Sequence, residues 1–217
     1  MNDSQDTDRT LEELRLGVDG DASALSEIWD QHRERLKRVV KLRMDRRLQG
    51  RVDPSDVLQE AFLDFSSHVA GYVEDPKMPF FLWLRYMTGK RLHLLHRHHL
   101  GAQMRDAGRE VSLQRGAMPQ ATSVSLAAQL MGRFTSVSRA VQRAEMQQIL
   151  QEAINAMDPT DREILALRHF EELSNSETAQ VLAIQPSAAS SRHVRALKKL
   201  RETLRNTDGF FDNEKHS

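Results

Sequence analysis

The chain contains no cysteine among its 217 residues. This excludes disulfide scaffolds, thiolate zinc sites, iron–sulfur clusters and cysteine nucleophiles. Aromatic residues make up only 6% of the chain and apolar residues 39%, below the ~45–50% of an average globular protein. No apolar run approaches the ~20 residues of a membrane-spanning helix, and residues 1–8 are too acidic and polar for a signal peptide. We therefore expect a cytoplasmic protein with small hydrophobic cores and a highly charged surface.

The net charge of zero conceals an alternation of acidic and basic blocks. Residues 1–30, 52–80 and 145–180 are acidic, whereas residues 31–51, 81–115 and 181–205 are basic. Basic surfaces suit a polyanion, and acidic surfaces suit a basic protein partner. Helical proteins also carry such blocks as solvated faces, so the charge pattern alone leaves both interpretations open.

The hydrophobic pattern predicts helices rather than strands. No segment shows sustained alternation of β-branched or aromatic residues, whereas apolar residues recur at helical spacing along most of the chain. Aspartate followed by proline marks two helix starts, and Gly71 with two prolines predicts a loop at 71–79. The predicted helices lie at about 22–48, 54–70, 80–100, 139–157, 162–170, 174–182 and 186–205.

Between residues 101 and 138 the periodicity fades, and Ser, Thr, Gln, Gly and Ala dominate. A poorly structured segment of this length is uncommon inside one compact domain. We therefore predict an all-α protein of two small helical domains joined by a flexible linker. The predicted parts are a disordered acidic tail (1–10), an N-terminal domain (11–100), a linker (101–138) with a short helix near 126–131, a C-terminal domain (139–206) and a tail (207–217).

The C-terminal domain ends in a helix-turn-helix pattern. A short helix capped by Ser174 and Glu177 is followed by a three-residue turn and a longer basic helix, which is the layout of DNA-reading motifs. One side of the last helix carries Ala189, Ala196, Leu197, Leu200 and Leu204, with His193 among them. The opposite side carries small residues and cations suited to base edges and phosphates: Ser187, Ala188, Ser191, Arg192, Arg195, Lys198 and Lys199. A solvated basic helix that closes a bundle is the alternative.

The helix at 80–100 carries a mixed aromatic and basic stripe. Tyr86, Lys90, His93 and Arg97 share one face, and this combination suits stacking on unpaired bases beside phosphate contacts. A solvated face with a chance tyrosine is the alternative. Its histidines at 93, 96, 98 and 99 could suggest a metal site, but the cluster contains no acidic residue or cysteine, so we predict none.

Several motifs together resemble one family, the extracytoplasmic-function sigma factors of bacterial RNA polymerase. The run 56–62, Asp-Val-Leu-Gln-Glu-Ala-Phe, is similar to the family pattern D-x-x-Q-E-x-F. Trp83-Leu84 before a basic helix resembles the family's promoter-melting helix. The segments 161–165, 177–184 and 195–200 resemble its C-terminal domain in order and spacing.

The resemblance implies a non-catalytic promoter-recognition subunit that needs no cofactor. It implies that core RNA polymerase and promoter DNA are partners, with an anti-sigma factor as a candidate third. Residues 187–199 of the last helix would read the −35 element. Two alternatives stay open: a helix-turn-helix regulator that acts without polymerase, and a helical metal-dependent hydrolase that uses the histidine cluster. By position, the resemblance assigns polymerase docking to Asp56, Gln59 and Glu60, and −10 recognition to Trp83, Tyr86, Lys90, His93 and Arg97.

Overall fold

The computed structural model describes residues 3–100, 118–133 and 140–205. Within these ranges the chain forms nine α-helices and one π-helical turn, and no strand. The all-α class and the division into two units are confirmed, with the boundary between Pro119 and Gln120. The helices are α1 (Asp3–Val18), α2 (Ala22–Arg43), α3 (Pro54–Glu74), α4 (Phe80–Leu100), α5 (Ser123–Arg133), α6 (Ala140–Asn155), α7 (Pro159–Leu165), α8 (Asn175–Leu182) and α9 (Pro186–Arg205), and the π-helical turn is Ala166–Phe170.

Two helices begin at the aspartate–proline signals that the sequence predicts. The side chain of Asp53 accepts a hydrogen bond from the backbone N–H of Ser55 (2.7 Å), and Asp158 accepts one from Thr160 (2.8 Å). Each aspartate satisfies an N–H that has no partner within the helix, and the proline after it lacks an N–H at the position where none is needed.

In the N-terminal unit, α2 packs against α1, α3 and α4, and α3 also contacts α1 and α4. The rings of Trp29, Phe62, Phe65, Phe80 and Trp83 meet between α2, α3 and α4. This aromatic cluster forms part of the unit's core. Fully buried aliphatic residues fill the rest: Leu14, Leu36, Leu42, Leu58, Leu84 and Leu92.

The predicted disordered tail at 1–10 is wrong where the structure describes it, because α1 begins at Asp3. Leu14 on α1 is fully buried, and Gly17 lies so close to Leu25 that a Cβ atom would be 2.4 Å from the leucine side chain. Arg9 and Glu13 pair one turn apart (2.9 Å). The acidic composition of the first residues obscured a helix that is anchored by packing further along.

Two boundaries in the N-terminal unit also differ from the prediction. Helix α2 ends at Arg43, where Met44 turns to an extended conformation and the chain folds back so that Leu48 is buried. Helix α3 continues through Gly71 to Glu74, shortening the predicted loop. Tyr72 explains the extension, since its ring is buried and its hydroxyl donates to the carbonyl of Met78 (2.9 Å).

The predicted linker at 101–138 contains the expected short helix, but this helix, α5, belongs to the C-terminal unit. It packs against α6 and buries Leu126, Ala127 and Met131. At the other side of the boundary, Arg43 donates to the carbonyl of Pro119 (2.7 Å) within the N-terminal unit. Residues 101–117 and 134–139, and the predicted tail at 207–217, lie outside the described residues.

In the C-terminal unit, α9 packs against α6, α7 and α8. Met157, Leu165 and Ala196 form a buried cluster with Leu200 against it. The fully buried Leu150 and Ile154 of α6 extend this core. The core therefore holds one side of α9 and leaves its other side on the surface.

Candidate functional site

Helices α8 and α9 form a helix-turn-helix with a fixed turn. Ser174 and Glu177 make a complete capping box at the start of α8, with each side chain accepting from the other's backbone N–H. Ala183 ends α8 in a left-handed conformation (φ 53°). Asn175 donates from its side chain to the carbonyl of Pro186 (2.9 Å), which links the two helix starts. These contacts set the direction in which α9 leaves the turn.

The buried side of α9 follows the sequence pattern in part. Ala189 and Ala196 are buried, as predicted. Leu197 is 38% exposed and borders a cavity of about 100 Å³ together with Leu200 and residues of α5 and α6. The side chain of Leu204 lies outside the described residues. The packed stripe is therefore narrower than the helical projection predicts.

Five of the residues predicted to contact −35 DNA face outward on α9. Ser187, Ser191, Arg195 and Lys198 are exposed and Ala188 is half-buried. Lys198 lies 3.8 Å from Glu202, one turn further along. Small side chains near the helix start would allow close approach to a groove floor, with Arg195 able to reach past them.

The other two predicted residues have partners within the unit. Arg192 lies 3.2 Å from the carboxylate of Asp161 and 3.6 Å from that of Asp158, both at the start of α7. Lys199 donates to the carbonyl of Ala156 just after α6 (2.8 Å). These cations hold α9 against its neighbours, which a helical projection cannot reveal.

A contact between a histidine of α9 and a histidine of the π-helical turn was not predicted from the sequence. Nε2 of His193 lies 2.9 Å from Nε2 of His169 in the π-helical turn, and both side chains are half-buried. Burial, and then the positive charge of Arg168, lower the pKa of His193. The sequence did place His193 on the apolar side of the last helix, and a polar group there needs a hydrogen-bond partner. This position was the available signal for the contact.

The predicted docking residues share an exposed face of α3. Asp56, Gln59 and Glu60 are exposed, and Glu60 lies 3.6 Å from Arg91 of α4. Arg91 makes two hydrogen bonds to Asp64, which fix the spacing between α3 and α4 at this point. The exposed face is therefore acidic, and the Arg91–Asp64 hydrogen bonds hold α3 and α4 together beside it.

Two grooves flank this acidic face. One, of about 450 Å³, runs between α2 and α3, with Trp29, Phe62 and the exposed Leu63 along it and Gln59 at its edge. The other, of about 270 Å³, runs between α3 and α4 and includes Asp56, Glu60 and the exposed Leu94. Acidic and apolar groups therefore lie together on this surface, with Arg33 in the first groove and Arg91 in the second, and such a surface suits a basic amphipathic protein partner.

Trp83 differs from the other predicted −10 residues because it belongs to the aromatic cluster. Its ring stacks on Tyr72 at 4.5 Å and contacts Phe65 at 5.8 Å and Phe80 at 6.2 Å. Burial raises the pKa of Tyr72 to about 12. Trp83 is half-buried, and its ring contacts support the start of α4.

The remaining −10 residues follow one surface of α4. Tyr86 is half-buried, with the ammonium of Lys90 5.7 Å from its ring centre. His93 is half-buried and Arg97 is exposed two and three turns further along. An aromatic ring beside three basic groups is therefore available at this surface.

The histidine cluster of α4 does not converge. His96 is buried, and its Nε2 accepts from the backbone N–H of Asp45 (3.2 Å). Burial lowers its pKa. His98 and His99 are exposed and pack edge to face at 4.8 Å. Among the described residues no three ligand-type side chains come together for a metal, and none of the described helices could cross a membrane.

Residues 147–200 match the family model described as Sigma-70, region 4. The C-terminal unit is therefore similar to sigma-70 region 4 over these residues. The matched segment runs from within α6 through α7, the π-helical turn and α8 to Leu200 of α9. It therefore includes the helix-turn-helix and both partners of the histidine pair, whereas α5 lies outside it. The resemblance to sigma factors that the sequence motifs indicate is confirmed for this part of the chain.

Two curated relatives are also similar to part of the chain. The RNA polymerase sigma-E factor of Streptomyces antibioticus is 37% identical over 60 residues, which cover 28% of this chain and 33% of the relative. The protein of the same name from Streptomyces avermitilis is 35% identical over 60 residues, covering 28% and 34%. The chain thus spans about a third of the length of the curated relatives it matches.

A solved structure is similar over most of the chain. It is the structure of CnrH in complex with the cytosolic domain of CnrY, with a TM-score of 0.51 and 19% sequence identity. The similarity covers 90% of this chain and 96% of that chain. At this identity the match supports the fold: an all-α arrangement extending beyond region 4 into the N-terminal unit.

Proposed function

We propose that the chain is an RNA polymerase sigma factor of the extracytoplasmic-function type. The observation that carries the proposal is the match to region 4, which falls on a helix-turn-helix whose second helix exposes Ser191 and Arg195. The two relatives named as RNA polymerase sigma-E factors support the same function. In this proposal the chain is not an enzyme: it binds and positions DNA, acts in the cytoplasm with core polymerase, and leaves RNA synthesis to the polymerase.

Each unit has a separate part in this proposal. The acidic face of α3 binds a basic surface of core polymerase, and the stripe on α4 that begins at Tyr86 holds unpaired bases of the −10 element. The exposed side of α9 reads the −35 element. Trp83 supports α4 from within the aromatic cluster instead of contacting DNA directly, as its stacking on Tyr72 indicates.

A regulatory protein partner is part of the proposal. CnrH, the structural neighbour, was solved with the cytosolic domain of a second protein. In this chain the apolar grooves beside α3 offer a surface for such a partner, with Leu63 and Leu94 exposed near acidic residues. We infer that an anti-sigma factor would compete there with core polymerase.

The decisive experiment mixes the purified full chain with core RNA polymerase and a promoter library. We expect co-elution with core polymerase and transcripts that start at a defined subset of promoters. Arg195→Ala is the matched control, since it should co-elute equally well but initiate poorly. Duplex binding without any binding to core polymerase would instead support a helix-turn-helix regulator, and the proposal would be wrong.

A further inference from the structure

The histidine pair joins the π-helical turn to the helix that faces DNA. The two Nε2 atoms are 2.9 Å apart and the two ring centres are 5.0 Å apart. The difference is nearly the width of one ring, as expected when each ring centre lies directly behind its own Nε2. The Nε2 atoms of His169 and His193 therefore point almost directly at each other. A metal ion bound by both rings would have to lie to one side of the line between the two Nε2 atoms, with both lone pairs directed at it. The rings instead point along that line, so a hydrogen bond between them fits the geometry better.

Such a contact requires one ring to carry hydrogen on Nε2 and the other to present a bare Nε2. One extra proton can be taken up at Nδ1 of the donor ring without breaking the bond. A second proton would put hydrogen on both Nε2 atoms, and two N–H groups would then face each other at 2.9 Å. The folded pair therefore accepts one proton readily and resists the second.

We propose that His169 and His193 position the DNA-facing helix α9 through a shared Nε2–H···Nε2 hydrogen bond, and that a second proton on the pair releases this contact. The proposal rests on the proposed reading of DNA by α9. The π-helical turn adds support, because π-helical segments are rare and occur frequently at functional sites. His193 directly follows Arg192, whose ion pairs hold the same part of α9 to α7.

The charges around the pair favour this behaviour. Arg168, on the π-helical turn, is the charged group that acts on the pKa of His193, and it opposes a further positive charge. Asp158 and Asp161 face α9 but pair with Arg192. Among the described side chains, the other ionisable groups on the elements packed against α9 are Arg162 and Glu163 on α7, Glu171 and Glu172 after the π-helical turn, Glu177 on α8, and Glu145 and Glu152 on α6. None of these contributes to the shift in the pKa of His193, which burial and Arg168 cause.

The direction of the pH effect follows from the lowered pKa. In the unfolded chain His193 binds a proton near its ordinary value of 6.5, whereas in the folded chain it binds one only at lower pH. The unfolded state therefore holds more protons as pH falls below 6.5, and the C-terminal unit loses stability in that range. Above this range His193 is neutral and its contact with His169 holds α9 in place.

The test uses the full chain and a duplex selected from a randomised library at about pH 7.5. We expect the preference for this duplex over a scrambled one to fall about tenfold on acidification to about pH 5.5, the change equivalent to one pKa unit. His169→Gln with His193→Gln keeps a neutral hydrogen-bonding pair, so its preference should stay nearly constant. His98→Gln with His99→Gln removes an exposed pair on α4 and should retain the wild-type response.

Proton NMR of the histidine rings supplies a readout that does not depend on DNA. We expect the signals of His169 and His193 to titrate in two separated steps, the lower one accompanied by loss of the contact between the two rings. Independent titration of both rings near the ordinary histidine value would overturn the proposal, as would an equal pH response in the glutamine pair. If neither the free chain nor its complex with core polymerase binds any duplex selectively, the proposed function fails, while the NMR titration still decides whether the pair exists.

Discussion

The guanidinium of Arg192 lies 3.2 Å from the carboxylate of Asp161, which is only 15% exposed, and this ion pair joins α9 to the start of α7. Arg195, one turn further along α9, is exposed and forms no ion pair among the described residues. Both arginines lie on the basic side of the predicted helix. Arg192, which is paired with Asp161, therefore orients the helix, whereas Arg195 is available to contact DNA.

We therefore expect different defects from the two arginines. Arg192→Ala and Asp161→Asn should each lower the free energy of unfolding by about 0.2–1 kcal/mol, the range of partly exposed ion pairs. Combining them should add little to either change, since the two side chains act together. Arg195→Ala should leave stability unchanged but reduce discrimination between a selected and a scrambled duplex by ~1–3 kcal/mol. Urea unfolding and competitive DNA binding measure the two effects. Equal losses of discrimination for both arginines would show that Arg192 reads bases as well.

The two neighbouring lysines of α9 should differ in the same way. Lys198→Ala should weaken binding to all duplexes similarly. It should also lower the slope of log affinity against log salt concentration by about one unit, which corresponds to one counterion fewer released. Lys199→Ala should change the salt dependence less, because its ammonium already donates to the carbonyl of Ala156. Binding measured over a range of salt concentrations gives both slopes. Identical slopes would assign both lysines to phosphate contacts, as the sequence pattern alone predicts.

The docking face of α3 can be tested by charge reversal that respects its neighbours. Asp56→Arg with Glu60→Gln should prevent binding to core polymerase, since like charges across an interface cost several kcal/mol. Glutamine at position 60 avoids placing a second cation beside Arg91. Gel filtration with core polymerase measures the effect, and circular dichroism checks the helices. Glu27→Arg with Glu34→Gln, on exposed positions of α2, is the matched control. Unchanged affinity of the α3 variant would remove this face from the docking surface.

Promoter opening should depend on the ring of Tyr86. Tyr86→Ala should reduce strand opening more than duplex binding, because base stacking contributes ~1–3 kcal/mol and acts on unpaired bases. Tyr86→Phe keeps the ring and should open promoters almost normally. Permanganate reactivity of −10 thymines reports the opening. Equal opening by the alanine and phenylalanine variants would mean that the stripe is a solvated face.

Trp83→Ala should behave differently from both tyrosine variants. Its half-buried ring contacts Tyr72, Phe65 and Phe80, and removing it should cost part of the ~3–5 kcal/mol of stability that a fully buried aromatic ring contributes. We expect a lower thermal midpoint and a loss of all functions together. A stable variant defective only in promoter opening would return Trp83 to the DNA-contacting residues.

Much of the site was predictable because it depends on local rules. Asp53, Asp158 and Ser174 cap helices in the structure as their sequence contexts predict. The exposed positions of Asp56 and Arg195 follow from the spacing of apolar residues on their own helices. Caps and helix faces are set by residues within a few positions of each other, so the sequence carries them directly.

The sequence is enough to predict the helical class, the division into two units, the helix-turn-helix and the family resemblance of the C-terminal part. Which side chains on those surfaces are available depends on how the helices pack. The tertiary structure paired Arg192 with Asp161 and His193 with His169, 31 and 24 positions apart, and it packed Trp83 against Tyr72. It also attached α5 to the C-terminal unit through buried Leu126 and Met131. Helical periodicity shows which way a side chain points from its own helix, but contacts between distant segments depend on how the helices pack.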